Sequence, residues 1–299
     1  MSSVIVSEKK MSHITVLGLG AMGSRMSAQL LAAGHKLTVW NRSPHAVQAL
    51  IDAGAHHAAS PAEAASGAEV VIAMLRDDEA SRQVWLDANT GALAGMVPTA
   101  IAIDSSTLTP GWVRELGRRM QERGISFLEA PVSGSRAQAD AGQLTYLVGG
   151  DAPTLARCLP LLQTLGSRVE HVGALGHGAL AKLATNAMLG IQVTGLAEVI
   201  AMLERQQANT SEVLNAMAKT SVWAPVFTYL SSTMVQRQFA PQFPVELMEK
   251  DFGYTLREAG SNANAPTLAA AHAVFQRARA QGLGLENMTS VVQLFRAEK

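Results

Sequence analysis

The chain has 299 residues, enough to bury about three quarters of its unfolded surface and to divide into two domains. Its 24 basic and 24 acidic residues balance, which argues against a nucleic-acid or polyanionic partner. Hydrophobic content is 48% but aromatic content only 5%, and the alanine- and leucine-rich excess favours packed helices over a β-sandwich.

In chain order, residues 1–12 read as a flexible tail, since Met11 sits just before the first strand, and Ser2 to His13 lacks the long apolar core of a signal peptide. Ile14-Thr15-Val16-Leu17 reads as a buried strand and Met22 to Ala33 as the helix after it. Gly18-Leu19-Gly20-Ala21-Met22-Gly23 joins them, a turn that brings backbone N–H groups and a helix N-terminus to a dinucleotide pyrophosphate. The next strand, Leu37 to Trp40, ends at Asn41-Arg42-Ser43. An NAD site carries Asp or Glu there for the ribose 2′-hydroxyl, whereas neutral Asn41 followed by Arg42 suits a 2′-phosphate, so NADP is the expected cofactor.

Ser43-Pro44 predicts a capped helix ending at Gly54, and Ser60-Pro61-Ala62-Glu63 a capping box that opens another. Val70 to Leu75 and Ala100 to Ile103 read as strands, Trp112 to Gly124 as a helix, and Ser126 to Leu128 and Thr145 to Val148 as further strands. This alternation predicts an α/β Rossmann domain over 13–175, a mostly parallel sheet with helices on both faces. After Gly176 the strand signals stop. Gly178 to Gln206 reads as one long, nearly apolar helix that bridges domains or subunits, and it opens an all-helical domain over 176–299. Further helices are predicted at Ser211 to Ala218, Pro225 to Arg237, Val245 to Glu258, Pro266 to Gln281 and Glu286 to Ala297. No apolar run reaches the roughly 18 residues of a membrane span. The single cysteine, Cys158, reads as a buried structural thiol in a protein of the reducing cytoplasm, and the eight histidines have no metal-ligand spacing.

In an open parallel sheet the ligand lies beyond the carboxyl ends of the strands, and three segments emerge there. Asp104-Ser105-Ser106-Thr107-Leu108-Thr109-Pro110 is either a set of ligand hydroxyls or a helix start with Thr109 as N-cap and Pro110 behind it. Pro131-Val132-Ser133-Gly134-Ser135-Arg136 is either a carboxylate cradle of hydroxyl, backbone N–H and cation, or a surface turn. Lys182 and Asn186 stand four apart on one face of the long helix. A partly desolvated Lys182 could give a proton to a developing alkoxide, and its alternative is a snorkelling surface lysine.

The motifs GLGAMGSRM, NRS, DSSTLTP, APVSGS and GHGALAKLATN, with Glu249-Lys250-Asp251 behind them, resemble the β-hydroxyacid dehydrogenase family in order and spacing over residues 13 to 299. The resemblance implies a Rossmann domain, a long inter-domain helix and a helical domain that mediates a homodimer or homotetramer. It also implies Lys182 as catalytic lysine and Asn186 as its substrate-orienting partner. Ser133 and Gly134, with the Ser135 backbone, become the carboxylate site, and Arg136 is read beside them as the contact for a distal carboxylate. Thr107, Met74 and Leu75 line the cofactor, and Lys250 closes over it and, as a like charge, eases deprotonation of Lys182. Ser135-Arg136 and Phe239-Ala240-Pro241-Gln242-Phe243-Pro244 are most similar to the glyoxylate/succinic semialdehyde reductase branch. The expected reaction is therefore NADPH-dependent reduction of glyoxylate, succinic semialdehyde or tartronate semialdehyde, with no metal. The alternatives are an imine reductase on the same architecture, against which Lys182 speaks, and a non-catalytic NADP-binding scaffold.

Overall fold

The computed structural model describes residues 12–43 and 47–296. The expected tail, apart from Ser12, and the Pro44 helix start lie outside the described residues. Contacts divide the chain after Lys182 into an N-terminal and a C-terminal unit.

The N-terminal unit begins with β1 (His13–Leu17), α1 (Gly23–Ala32), β2 (Lys36–Trp40), α2 (Gln48–Asp52), β3 (His56–His57), α3 (Pro61–Ala65) and β4 (Val70–Ala73). It continues through α4 (Asp78–Leu86), α5 (Ala92–Gly95), β5 (Ile101–Asp104), α6 (Pro110–Glu122) and β6 (Ser126–Glu129). Then come β7 (Val132–Ser133), α7 (Arg136–Asp140), β8 (Leu144–Gly149), α8 (Ala152–Leu165) and β9 (Gly166–Gly173). The sheet order is β3-β2-β1-β4-β5-β6-β8-β7, with β9 on β8. The doubly wound Rossmann order over β1–β6 is all parallel.

Strand alternation builds the layers. Ile14 and Val16 point to one face and pack with Met26 and Leu30 of α1 and Cys158, Leu162 and Leu165 of α8. Leu17 points to the other, among Ala64 and Ala65 of α3, Trp85 of α4 and Leu116 and Met120 of α6. Cys158 is inside the first of these cores, where burial pushes its thiol up to about 11.

The sheet is mostly parallel, as expected, and several local features differ from the sequence pattern or add to it. β8 runs antiparallel to β6 and β7, so the sheet is mixed at that end. β7 has only two residues, and β9 is a largely exposed strand bonded on one side, so neither presents the buried alternation that marks a strand. The capping box at Ser60 is half formed. Ser60 Oγ accepts from Glu63 N–H at 3.1 Å, but the Glu63 carboxylate accepts from Ala59 N–H, one residue too early. Thr109 does cap α6, accepting from Trp112 N–H at 3.2 Å with Pro110 behind it.

Helix α9 (His177–Arg205) crosses the division and opens the C-terminal unit. That unit also holds α10 (Thr210–Met217), α11 (Pro225–Val235), α12 (Val245–Glu258) and α13 (Pro266–Ala280). A 3₁₀ stretch at Met288–Phe295 stands where the sequence predicts an α-helix from Glu286. Its Ser290 N–H bonds to Asn287 C=O, an i to i−3 closure. The core gathers Val193, Leu196 and Ile200 of α9, Leu230 and Met234 of α11, Met248 and Phe252 of α12, and Phe275 of α13. By length and composition alone α9 could cross a membrane, because Asn186, Gln192 and Thr194 only interrupt its apolar run. Half of its most apolar stretch is buried inside the protein.

Two glycines of α9 have opposite reasons for being there. A Cβ on Gly190 would lie 2.3 Å from the Phe252 ring, whereas a Cβ on Gly195 would meet nothing within 4 Å. Gly195→Ala should therefore raise stability by about 0.5–1 kcal/mol through helix propensity, and Gly190→Ala should lower it by about 1–3 kcal/mol through overpacking. Urea denaturation of the two variants checks the contrast; equal shifts would contradict the close α9–α12 packing.

Candidate active site

The turn between β1 and α1 is shaped by contacts on both sides. Gly18 has φ +94°, donates its N–H to Trp40 C=O at 2.9 Å, and a Cβ there would lie 2.4 Å from Met74 C=O. A Cβ on Gly23 would strike Gly18 C=O at 1.9 Å, so the first and last glycines of the motif are packing requirements. Gly20 differs, since a Cβ there meets nothing within 4 Å. It leaves the turn open on the side where Ala21 is exposed and Met22 half-buried. Helix α1 starts at that turn with no side-chain cap and no acidic residue in its first turn. An open glycine below an uncapped helix N-terminus fits a dinucleotide pyrophosphate.

Asn41 ties this turn to the end of β2. Its Oδ1 accepts from Leu19 N–H at 3.0 Å and its Nδ2 donates to Ser43 C=O at 2.8 Å. The Asn41 amide is thus a strut, while Arg42 and Ser43 are exposed beside it. On the other side, Met74 N–H donates to Leu17 C=O at 2.9 Å and Leu75 N–H to Ser106 Oγ at 2.7 Å.

Two buried acids, neither assigned a role from the sequence, end the adjacent strands β5 and β6 in register with each other. Asp104 is 1% exposed and accepts from Ser81 Oγ–H (2.9 Å), Trp85 Nε1–H (2.8 Å) and Ser106 N–H (2.9 Å). Burial pushes its carboxyl above the usual range, against the pull of those donors. Trp112 Nε1–H in turn donates to Ser81. The network fixes the loop after β5. Ser106 and Thr109 have their hydroxyls engaged within the protein, Thr109 donating to Asp78 at 2.6 Å, and half-buried Thr107 lies between them.

Glu129, also 1% exposed, receives the N-terminus of α9. One carboxylate oxygen accepts from the Gly176 and Gly178 N–H groups, the other from Ala179 N–H at 2.8 Å. Burial raises its pKa while the three amide donors pull it back down. Lys182, half-buried, follows one turn later on the same helix.

After β6 the chain turns into β7, whose Ser133 pairs with Thr145 of β8 and stays half-buried. Gly134 has φ +139°, and a Cβ there would lie 2.9 Å from Leu144 and 3.2 Å from Gln138. Ser135 departs from expectation. Its N–H donates to Gln138 Oε1 at 2.9 Å, and its hydroxyl bonds to the same oxygen. The Gln138 side chain thus caps the start of α7 and engages the Ser135 N–H that the expected carboxylate site would use. Arg136 opens α7 half-buried, and its Nε has no hydrogen-bond acceptor among the described residues.

In the C-terminal unit Asn186, 3% exposed, donates from Nδ2 to Asp251 at 2.6 Å. Asp251 also pairs with Lys250 Nζ at 3.1 Å, and that ammonium lies 5.0 Å from the Tyr254 ring centre. Asp251 thus gives the Lys250 ammonium a counter-charge. Among the described residues no cluster of His, Cys, Asp and Glu could hold a metal ion. Asp104, Glu129 and Asp251 were the residues missed, and the available signal was an acid in an otherwise apolar strand or beside a motif lysine.

Two family models match. One described as the NAD binding domain of 6-phosphogluconate dehydrogenase covers residues 13–173, and one described as NAD-binding of NADP-dependent 3-hydroxyisobutyrate dehydrogenase covers 176–295. The chain is 33% identical to the NAD-dependent L-serine dehydrogenase of Pseudomonas aeruginosa, covering 95% of this chain and 98% of that one. It is 31% identical to the chloroplastic glyoxylate/succinic semialdehyde reductase 2 of Arabidopsis thaliana, covering 96% and 80%. The solved structure of Mycobacterium tuberculosis 3-hydroxyisobutyrate dehydrogenase with L-serine aligns with a TM-score of 0.84 at 30% identity, covering 96% and 100%.

The open and packed glycines make separable predictions. Gly23→Ala should cost about 1–3 kcal/mol of stability through its clash with Gly18. Gly20→Ala should leave the melting temperature nearly unchanged and weaken nicotinamide-cofactor binding about tenfold, or 1.4 kcal/mol. Thermal melts and fluorescence titration check both; unaltered cofactor binding in Gly20→Ala would contradict the placement of the pyrophosphate at this turn.

Proposed function

The chain belongs to the β-hydroxyacid dehydrogenase family, and from that premise we propose that it reduces a small aldehyde- or keto-acid with NADPH, with Lys182 as proton donor. Membership makes it an NAD(P)-dependent oxidoreductase that interconverts an alcohol and a carbonyl on a small hydroxy-acid substrate. The finer reading is supported chiefly by one observation. Lys182 stands on a helix whose first turn is seated on Glu129, four residues before Ser133 in the same unit.

The residues that would hold the cofactor are Gly18 to Gly23, with Arg42 and Ser43 at the ribose end and Met74, Leu75 and Thr107 along the strand ends. When bound, the nicotinamide supplies a hydride equivalent for the carbonyl carbon. The substrate carboxylate accepts from the Ser133 hydroxyl and the Gly134 N–H. Lys182 Nζ gives a proton to the carbonyl oxygen as the alcohol forms, and the neutral amine regains its proton from solvent. Asn186, one turn further along α9, orients the substrate and is itself oriented by Asp251. Glyoxylate, succinic semialdehyde and tartronate semialdehyde are the proposed substrate class, with Arg136 taking a distal carboxylate where one exists. Lys250 is proposed to cover the cofactor. Leu180, Met188 and Met202 remain exposed along α9, which supports the homodimer or homotetramer implied by the family resemblance.

NADPH is preferred in this reading because Asn41 contributes no negative charge and its amide is committed to Leu19 and Ser43. That leaves Arg42 to meet a 2′-phosphate. Arg42→Ala should then remove roughly 1.5–3 kcal/mol, about 10- to 150-fold, of NADPH affinity and little NADH affinity. Equal losses for the two cofactors in a fluorescence titration would refute the role of Arg42.

Lys182→Ala should slow turnover by roughly 10²–10⁴-fold with cofactor affinity nearly intact. NADPH oxidation measured with each of the three carbonyl acids checks this; undiminished turnover would sink the assignment.

A further inference from the structure

We propose that Glu129 is the positioning residue of the reaction, fixing Lys182 relative to the Ser133–Gly134 carboxylate cradle. The inference rests on the reading of Lys182 as proton donor. Glu129 is the last residue of β6, and the chain reaches Ser133 four residues later through Ala130-Pro131-Val132. The same carboxylate accepts N–H bonds from Gly176, Gly178 and Ala179 at the start of α9. Gly178 and Ala179 are the i−4 and i−3 neighbours of Lys182, so the anchored turn lies directly beneath the lysine on one helix face. Helical side chains also lean toward the N-terminus, which inclines the lysine stem over that turn. One side chain thereby joins the strand leading to the cradle and the helix bearing the proton donor.

The space around the carboxylate is cut to fit it. A Cβ on Gly149 of β8 would lie 2.1 Å from Glu129 Oε1. A Cβ on Gly178 would lie 3.0 Å from its carboxyl carbon and 2.5 Å from Leu147 C=O. Gly176 takes φ +97° to turn its N–H inward. Both carboxylate oxygens accept, which an amide cannot reproduce, because a glutamine would aim an NH₂ group at one of the three N–H donors. The charge also meets the positive end of a 29-residue helix. His177, at the first position of α9, is the titratable group whose charge couples to it.

The test compares Glu129→Gln, Glu129→Asp and Lys182→Ala in the full chain. Each is assayed with whichever of glyoxylate, succinic semialdehyde and tartronate semialdehyde the unaltered protein reduces fastest. Glu129→Gln is expected to lower kcat about 100-fold while KM for the nicotinamide cofactor stays within about twofold, since only the donor's placement changes. Glu129→Asp keeps two oxygens and the charge and is expected to recover about tenfold of that loss. A Glu129→Gln variant with undiminished kcat, beside an inactive Lys182→Ala, overturns the inference and leaves the lysine reading intact. An active Lys182→Ala overturns the lysine reading itself. Parallel loss of kcat and cofactor binding, or failure of both Glu129 variants to fold, also overturns the inference by making Glu129 a residue of the fold alone.

Discussion

A buried carboxylate must be surrounded by donors, and this protein places two of them side by side. Asp104 and Glu129 end neighbouring parallel strands in register, each 1% exposed. Removing an ion of this size from water costs several kcal/mol even after relaxation, so each acid dictates what gathers around it. Asp104 collects a hydroxyl, an indole and a backbone N–H, and so fixes the loop that carries Thr107. Glu129 collects three backbone N–H groups at the uncovered start of a helix. The position of α9 within the N-terminal unit follows from that demand. Burial raises both pKa values, so each folded-state acid binds its proton more tightly than in the unfolded chain. Their contribution to stability therefore grows as pH falls through the folded-state pKa, is complete below the unfolded-state value, and is least where both are ionised in either state.

Geometry dictated by short-range rules was legible in the sequence. The β1–turn–α1–β2 unit, the Thr109 cap and the long span of α9 rest on glycine conformation, capping and hydrophobic run length, all local properties. What escaped notice depends on partners far along the chain. β9 has exposed residues at half of its positions and only Gly166 buried, so it lacks the apolar alternation of a core strand. β7 is too short to have a period. The C-terminal segment after Asn287 is apolar enough for a helix, but it winds as a 3₁₀ stretch against α11, α12 and α13.

The same distinction runs through the site. Ser133, Lys182 and Asn186 stand in motifs with recognisable neighbours. Glu129 and Asp251 take their meaning from donors 47 to 50 and 65 residues away, and no local pattern announces those. Ser135 shows the reverse error. Its place beside Ser133 and Gly134 suggested a ligand contact, yet a glutamine three residues on satisfies both its groups. A loop N–H counts toward a binding site only after the local caps have been subtracted.

Asn41 extends that subtraction to cofactor choice. Its amide uses both of its functions at once, accepting from Leu19 N–H and donating to Ser43 C=O. An aspartate in its place could keep the first bond but not the second, since a carboxylate has no hydrogen to give a carbonyl. Such a change would release the Ser43 carbonyl from the strut while adding a negative charge beside Arg42. The shape of the β1–α1 turn and the charge at the end of β2 thus both depend on Asn41. Any shift of the proposed NADPH preference toward NADH must therefore rebuild the 41–43 segment as well as replace Arg42.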